Sequence, residues 1–222
     1  MSAMFDIRLY GVLDPAQLGG RDPVAAASAA VDGGITMLQL RDKSNDAKAR
    51  VALASKIKQA LAGSGVPLII NDHVDTAAAI GADGVHLGRT DMKPAAARAE
   101  LGPNAIIGVT IHHGHEAEQV DPNIADYAGL GPVYLTRSKD PGDPPLGPFG
   151  LERLINQVQA HLPGLPCVAI AGISAKNVTP VMQAGADGVA VISAIFGQPD
   201  IRAATHQLRQ ILDQVQTELE VT

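Results

Sequence analysis

Basic and amide side chains that could bind phosphate groups lie at the end of one short apolar segment. Gln39, Arg41 and Lys43 alternate there, so in an extended strand their side chains point to the same side. Two cations and an amide on one face suit a diphosphate, because guanidinium and ammonium groups donate charged hydrogen bonds to its oxygens. The alternative interpretation is a solvated strand end.

Two aspartates, Asp72 and Asp91, follow the next two apolar segments. If neighbouring strand ends bring them together, two carboxylates and a diphosphate oxygen would hold Mg2+, which keeps several of its waters. Each aspartate could instead cap a helix, because Asp91 stands just before Lys93-Pro94 and both Asp and Pro are favoured at helix starts. The spacing leaves metal ligand and helix cap equally open.

A second anion site is predicted from small residues. Gly172 and Ser174 follow the seventh apolar segment, and Ile192-Ser193 ends the eighth. Glycine lets backbone N–H groups approach a phosphate, and the start of a following helix favours an anion. Loops after the seventh and eighth strands commonly form the phosphate site of α/β barrels. Ser174 fits equally well as the N-cap of the helix that follows it.

A long segment from Tyr134 to Phe149 is rich in glycine and proline and has no helical or strand periodicity. It opens with hydroxyl and basic residues, namely Thr136, Arg137, Ser138 and Lys139. We expect its part from Leu135 to Gly147 to be a lid that is mobile without ligand and orders over bound anions. Thr110, at the end of the fifth apolar segment, adds another hydroxyl to the predicted site.

These side chains meet only if the strand ends share one rim, and an internal repeat indicates a fold that achieves this. Gly81-Ala82-Asp83-Gly84-Val85 returns as Gly185-Ala186-Asp187-Gly188-Val189. The copies start 104 residues apart, equivalent to four strand–helix units of 26 residues, and about eight such units fit in 222 residues. The first glycine is expected to end a helix in the left-handed conformation, and the second to begin a strand where no side chain fits.

Eight short apolar runs alternate with helical patterns, as in a parallel sheet buried on both faces. The predicted strands are Arg8–Leu13, Met37–Arg41, Leu68–Asn71, Gly84–Leu87, Ile106–Thr110, Tyr127–Val133, Val168–Ala171 and Gly188–Ile192. Helices are predicted over Asn45–Ala62, Leu151–His161 and Asp200–Leu219, among others. The fold class is therefore α/β, a single-domain (β/α)8 TIM barrel over residues 1–222.

Composition excludes several classes of function. The chain has 17 basic and 23 acidic residues, a net charge of −6, no Trp and no basic stripe, so nucleic-acid binding is not expected. No stretch of about 18 apolar residues exists, so no membrane span is predicted, and no leader peptide is evident. A cytoplasmic protein is the expectation, and a homo-oligomer is compatible with the sequence.

The histidines and the single cysteine have ordinary structural interpretations. Cys167 lies in an apolar run and is expected in the core. His112, His113 and His115 cluster at a strand end, where a zinc site is conceivable, but no further ligand pattern accompanies them. His86 lies within a predicted strand and is expected in the core or near the site.

Six motifs in order along nearly the whole chain resemble the thiamine phosphate synthase family. They are Gln39-Leu40-Arg41-Asp42-Lys43, Asn71-Asp72, Gly84-Val85-His86-Leu87-Gly88, Asp126-Tyr127 leading to Gly131-Pro132-Val133, Thr136 with Ser138-Lys139, and Gly188-Val189-Ala190-Val191-Ile192-Ser193. Each motif alone is weak, but their common order is specific.

The resemblance implies a Mg2+-assisted transferase that joins a pyrimidine diphosphate to a thiazole phosphate. Diphosphate would leave first, and the thiazole nitrogen would capture the resulting pyrimidine cation. The implied pyrimidine diphosphate contacts are Gln39, Leu40, Arg41, Asp42, Lys43, Asn71, Thr110 and Lys139, with Arg41, Lys43, Lys139 and Thr110 assisting the reaction. The implied thiazole phosphate contacts are Thr136, Arg137, Ser138, Gly172, Ile192 and Ser193, and the implied Mg2+ ligands are Asp72 and Asp91.

Several positions depart from the family pattern. His73 stands where Arg is usual, Arg89 where Gln is usual and Thr110 where Ser is usual, while Ala171-Gly172 replaces Gly-Gly and Tyr134-Leu135 replaces Phe-Pro. These departures favour keeping two alternatives. One is the related thiazole tautomerase on the same barrel, which needs no diphosphate or Mg2+ apparatus. The other is a non-catalytic phosphate-binding barrel.

Overall fold

The computed structural model describes residues 5–44, 46–136 and 143–220, and within them eight parallel strands form a closed barrel. Each strand pairs with the next along the chain, and the last pairs with the first. The strands are β1 (Leu9–Leu13), β2 (Met37–Leu40), β3 (Leu68–Asn71), β4 (Gly84–Leu87), β5 (Ile106–Ile111), β6 (Tyr127–Leu130), β7 (Cys167–Ile170) and β8 (Gly188–Val191). The predicted (β/α)8 barrel is confirmed.

A helix follows each strand in the described residues, and aspartates begin several of them. The helices are α1 (Pro23–Asp32), α2 (Ala47–Ala60), α3 (Val74–Ile80), α4 (Pro94–Leu101), α5 (Gly114–Ala117), α6 (Gly147–His161), α7 (Val178–Gln183) and α8 (Ile201–Glu220), with a 3-10 helix over Pro15–Gln17. Asp22 accepts a hydrogen bond from the Val24 amide to cap α1, and Asp46 caps α2 through Ala49. None of the helices in the described part of the chain has the length and apolar character needed to cross a bilayer.

Two apolar layers are separated by the barrel wall. Strand side chains that point outward pack with the helices in the larger layer, which includes Leu38 and Leu40 of β2. The smaller layer fills the barrel interior and includes Tyr10, Met37 and Tyr127. Because strand side chains alternate, β2 places Met37 inside and directs Gln39 to the same side one step nearer the rim.

Both copies of the repeat act at the amino ends of their strands. Gly81 ends α3 with φ of 59°, as predicted for the first glycine. Gly84 and Gly188 leave no room for a side chain, since a Cβ at either position would lie 2.0 Å from a carbonyl oxygen of the neighbouring strand's chain. Asp83 connects the start of β4 to the start of β3, because its carboxylate accepts the Leu68 amide hydrogen at 2.8 Å. The repeat therefore closes the bottom of the barrel and lies away from the rim.

Some predicted boundaries were wrong, for identifiable reasons. Strand β6 ends before the predicted Val133, because Pro132 has no N–H for the ladder. Strand β7 ends before the predicted Ala171, whose φ of 75° is incompatible with an extended strand. Helix α6 begins one turn before the predicted Leu151, with a proline in its first turn. The other strand boundaries differ by one residue at most.

The tight approach at Gly84 generates a stability prediction. Gly84→Ala should lower the free energy of unfolding by about 3 kcal/mol, because the new methyl group must push two backbones apart. Gly63→Ala is the control: its φ is +80° but no atom lies within 4 Å, so only a backbone cost of about 1 kcal/mol is expected. Urea unfolding of both variants checks this, and equal losses would contradict the steric explanation.

Candidate active site

A cavity of about 400 Å³ opens at the carboxyl ends of the strands. The rim position follows from the parallel barrel, because every strand delivers its last inward-pointing residues to the same end. Its polar lining comprises Gln39, Arg41, Lys43, Asn71, Asp72, His86, Arg89, Thr90, Asp91, Thr110, His112, Thr136 and Ser193. Apolar side chains of β7 and β8 complete the opposite wall.

Acidic and basic groups of the β2, β3 and β4 ends are in direct contact. Lys43 forms an ion pair with Asp72, and Asp72 and Asp91 are close enough to share a hydrogen bond. Burial acts to raise the pKa of Asp72, but its hydrogen bonds to Lys43 and Asp91 hold that pKa below the usual value. Burial and then the neighbouring Asp72 raise the pKa of Asp91. Two carboxylates this close repel each other when both are ionised, so a cation beside them would be favourable.

Neither aspartate caps a helix, so that alternative is wrong. His73 is the N-cap residue of α3 and Lys93 that of α4. Asp91 instead accepts the Gly88 amide hydrogen at 2.7 Å, which turns its carboxylate back toward the β4 end. Asp72 has φ of 61°, a left-handed conformation that is costly for a residue with a side chain.

Arg41 is oriented from below by an aspartate that the sequence analysis did not identify. Asp14, just after β1, accepts a hydrogen bond from Arg41 at 2.5 Å, and the two side chains are only 6% and 16% exposed. Asp14 also accepts hydrogen bonds from the Ala16 amide and the Gln17 side chain. The guanidinium is therefore held in one orientation at the cavity wall.

The opposite half of the cavity combines apolar residues of β7 and β8 with the glycine and serine that follow these strands. Gly172 has φ of 70°, and a Cβ there would lie 2.6 Å from the Leu135 carbonyl oxygen. Its neighbour Ala171 also lines the cavity. Ser193 and Ile192 follow β8, and Arg21 secures the turn after them by donating to the carbonyl oxygens of Phe196 and Gln198.

A floor network of five side chains crosses the barrel beneath the cavity: Gln39, Tyr10, Tyr127, His86 and Thr110. The Gln39 amide donates to Tyr10 at 2.7 Å, and the two phenol oxygens are 2.8 Å apart. Tyr127 lies 2.9 Å from Nδ1 of His86, whose Nε2 lies 2.8 Å from the Thr110 hydroxyl. Among the described residues, no buried side-chain nitrogen or oxygen lacks a hydrogen-bond partner.

Most of the site residues predicted from the sequence lie around this cavity. Those that line it are Gln39, Arg41, Lys43, Asn71, Asp72, Asp91, Thr110, Thr136, Gly172, Ile192 and Ser193. The side chains of Leu40 and Asp42 do not, because Leu40 packs in the outer core and Asp42 accepts the Ser44 amide hydrogen. Ser174 neither lines the cavity nor caps α7, whose N-cap residue is Asn177. Its amide donates a hydrogen bond to Oδ1 of Asn177 at 2.7 Å. Arg137, Ser138 and Lys139, with the rest of residues 137–142 in the middle of the predicted lid, lie outside the described residues.

The three clustered histidines do not form a common site. His112 lines the cavity, and its Nδ1 lies 2.6 Å from the Gly131 carbonyl oxygen. The rings of His113 and His115 stack on each other. No group of three or more His, Cys, Asp or Glu side chains within the described ranges is placed to hold a metal ion. Cys167 is buried in the core, as predicted, and burial raises its pKa to about 12.

The residues that sequence reasoning missed are Asp14, Tyr10 and Tyr127. Tyr127 belongs to the Asp126-Tyr127 motif but has no predicted role, and Tyr10 lies within a predicted strand, although the inward register of both follows from the alternation. Asp14 carried a weaker signal, since an aspartate followed by proline also reads as a turn. Its contact with Arg41 depends on the pairing of β1 with β2.

A (β/α)8 barrel with a charged half-site facing a glycine-rich half-site belongs to the class of barrel enzymes that bind phosphorylated small molecules at the rim. The model of the protein family described as thiamine monophosphate synthase matches residues 9–195 of this chain. The chain is 45% identical over 209 residues to the thiamine-phosphate synthase of Agrobacterium fabrum, covering 94% of each chain. It is 41% identical to that of Azorhizobium caulinodans, covering 94% of this chain and 96% of the relative.

A solved structure of a similar protein matches this chain over nearly its whole length. The thiamine phosphate pyrophosphorylase from Pyrococcus furiosus superposes with a TM-score of 0.83 and 33% identity, covering 95% of this chain and 97% of that one. The chain belongs to the thiamine monophosphate synthase family.

The buried ion pair of Arg41 and Asp14 generates the second prediction. Arg41→Ala should lower the free energy of unfolding by about 3 kcal/mol, because it leaves a buried carboxylate without its cation. The double variant Arg41→Ala with Asp14→Ala should recover most of that loss, since neither charge remains. Thermal or urea unfolding of the single and double variants checks this, and a double variant no more stable than Arg41→Ala would contradict it.

Proposed function

We propose that this chain, with residues 1–222 as one domain, is a thiamine-phosphate synthase that condenses 4-amino-2-methyl-5-(diphosphomethyl)pyrimidine with a thiazole phosphate. The products are thiamine phosphate and diphosphate. The observation that carries the proposal is one cavity with two unlike halves, one lined by paired charges and the other by glycine, a serine and apolar residues. Family membership supports the same reaction.

The charged half suits the pyrimidine diphosphate. Arg41 and Lys43 would bind its phosphate oxygens, and the Asn71 amide and Gln39 would contact the rest of the molecule. Asp14 supports this assignment because it fixes the guanidinium of Arg41 in place before the ligand arrives. A thiazole tautomerase would have no use for this arrangement.

The residues of this half also fit a magnesium ion. Asp72 and Asp91 are two carboxylates that already share a hydrogen bond, which is unfavourable for two negative groups unless a proton or a cation lies between them. Two carboxylates suit Mg2+ when the remaining ligands are water and diphosphate oxygens. Mg2+ bound there would supply positive charge that stabilises the departing diphosphate.

The glycine-rich half suits the thiazole phosphate. Gly172 lets the backbone approach a ligand closely, and Ser193 offers its hydroxyl and backbone N–H at the turn after β8. Thr136 lies on the same side of the cavity opening as this half's glycine segment. Lys139, with Arg137 and Ser138, would add cationic and hydroxyl contacts from the segment outside the described residues.

The chemistry requires charge stabilisation and alignment more than proton transfer. The carbon–oxygen bond to the diphosphate breaks with its electron pair leaving on oxygen, and the thiazole nitrogen uses its own lone pair to form the new carbon–nitrogen bond. Arg41 and Lys43 would stabilise the charge that develops on the diphosphate. Binding the two substrates face to face supplies the remaining acceleration.

The metal proposal predicts a strong effect of removing one carboxylate. Asp72→Asn and Asp91→Asn should each lower kcat/KM by on the order of 100-fold at a fixed Mg2+ concentration, because a diphosphate-bound cation loses a charged ligand. Asp32→Asn, at the exposed end of α1, is the matched control and should change nothing. Formation of thiamine phosphate is measured with and without EDTA, and full activity in excess EDTA would refute the metal requirement.

If the cavity has two distinct halves, one mutation should weaken the binding of one substrate and leave the binding of the other unchanged. Ser193→Asp should raise the KM for the thiazole phosphate by at least about tenfold, because the new carboxylate repels the phosphate. The KM for the pyrimidine diphosphate should change little. Ser193→Asn, of the same size without the charge, is the control. Equal losses for both substrates in Ser193→Asp would count against two distinct halves.

A further inference from the structure

The floor network occupies the bottom of the cavity, and the proposed reaction steps make no use of its two tyrosines. Its members belong to five different strands or strand ends, from Gln39 on β2 to Thr110 on β5. Four of its members line the cavity, including Gln39 and Thr110 at its two ends, whereas Tyr127 is fully buried. The network therefore joins two substrate-facing positions through the barrel interior.

Burial leaves each phenol with one hydrogen to donate. Loss of hydration raises the pKa of Tyr10 and of Tyr127, so both hydroxyls stay protonated. The amide nitrogen of Gln39 can only donate, so the oxygen of Tyr10 accepts there. Tyr10 must then give its own hydrogen to Tyr127, and Tyr127 gives its hydrogen to Nδ1 of His86.

The remaining hydrogens follow from the chemistry of imidazole. A neutral ring carries one N–H, and because Nδ1 of His86 accepts, the hydrogen is on Nε2. That N–H donates to the oxygen of Thr110. The Thr110 hydroxyl therefore directs its own hydrogen away from His86, into the cavity that its side chain lines.

We propose that the floor network sets the direction of this last hydrogen, so that Thr110 is presented as a donor to an acceptor atom of the pyrimidine diphosphate. Tyr10 and Tyr127 are positioning residues for that contact, since both are almost fully buried and act on Thr110 through His86. The identity of the ligand rests on the proposed function, whereas the order of the hydrogen bonds rests only on the contacts within the floor network.

Close packing holds the rings of the network in these orientations. The Tyr127 ring lies against Gly108, where a Cβ would be 2.1 Å from the ring. The His86 ring lies near Gly129, where a Cβ would be 3.2 Å away. His86 also stacks on Tyr127, with ring centroids 5.5 Å apart. Because Gly108 and Gly129 have no side chains, each leaves room for one of these rings to pack directly against its strand.

The opposite order of donors would leave a different signature. If the Gln39 carboxamide were turned so that its oxygen accepts from Tyr10, every donor in the network would reverse. His86 would then carry its hydrogen on Nδ1, and Thr110 could only accept from a ligand. The tautomer of His86 therefore reports which way the network points.

Nitrogen NMR of the full chain, labelled at histidine and free of substrate, tests the order directly. We expect the Nε2–H tautomer for His86, identified by the signals lost in His86→Gln. Tyr127→Phe should abolish the single tautomer, whereas Tyr134→Phe should leave it unchanged, because the Tyr134 hydroxyl bonds the Asn177 carbonyl oxygen outside the network. An Nδ1–H tautomer in the unmodified chain, or no change in Tyr127→Phe, would overturn the proposal.

A double-mutant cycle tests whether the network acts through Thr110. Tyr127→Phe and Thr110→Val should each raise the KM for the pyrimidine diphosphate by about tenfold and leave the KM for the thiazole phosphate unchanged. Combined, they should be no worse than Thr110→Val alone, and Thr110→Ser should keep most of the affinity. Additive losses would overturn the positioning role. Should Tyr127→Phe fail to fold, Tyr10→Phe interrupts the same network one bond earlier.

The two proposals fail in different ways. A correctly folded chain that forms no thiamine phosphate from both substrates and Mg2+ would overturn the proposed function. The tautomer of His86 would still decide the order of hydrogen bonds in the floor network.

Discussion

The close approach of neighbouring backbones at the amino end of the barrel fixes the strand register, and the site depends on that register. At Gly84 and Gly188 the adjoining chain passes where a side chain would be, and only glycine allows it. A one-residue slip of a strand would turn each inward residue outward. For β4, which begins at Gly84, His86 would then face the helices and Leu87 would face the barrel interior. Residues at the closed bottom of the barrel thus determine which groups reach the rim.

The interior has a neutral lower part and a charged rim, and the two have different energetic requirements. Below the rim, Gln39, Tyr10 and Tyr127 are satisfied by one another without any formal charge. At the rim, charges lie partly in water and are paired, as Lys43 with Asp72, which limits the cost of desolvation. An anionic ligand at the rim could exchange these pairings for its own. The neutral floor beneath it keeps its shape while the charges rearrange.

The sequence predicted the fold and most of the rim because both follow from periodicity and local order. Alternation along β2 correctly grouped Gln39, Arg41 and Lys43, and the repeat indicated eight units. The sequence did not predict contacts between distant segments. Asp14 reaches Arg41 only because β1 pairs with β2, and the tyrosines meet only because the barrel closes. The spacing also left open whether Asp91 caps α4, because its contact with the Gly88 amide depends on the turn after β4.

The left-handed conformation of Asp72 links the fold to the proposed chemistry. A left-handed residue with a side chain costs about 1 kcal/mol or more relative to an ordinary conformation, so surrounding contacts must hold it there. Two contacts do so: the Asp72 amide donates to the His86 carbonyl oxygen at 2.9 Å, and its carboxylate pairs with Lys43. The first contact ties Asp72 to β4, the strand that carries His86 and leads to Asp91. The carboxylate of Asp72 is therefore held beside that of Asp91 by backbone geometry and by its ion pair with Lys43.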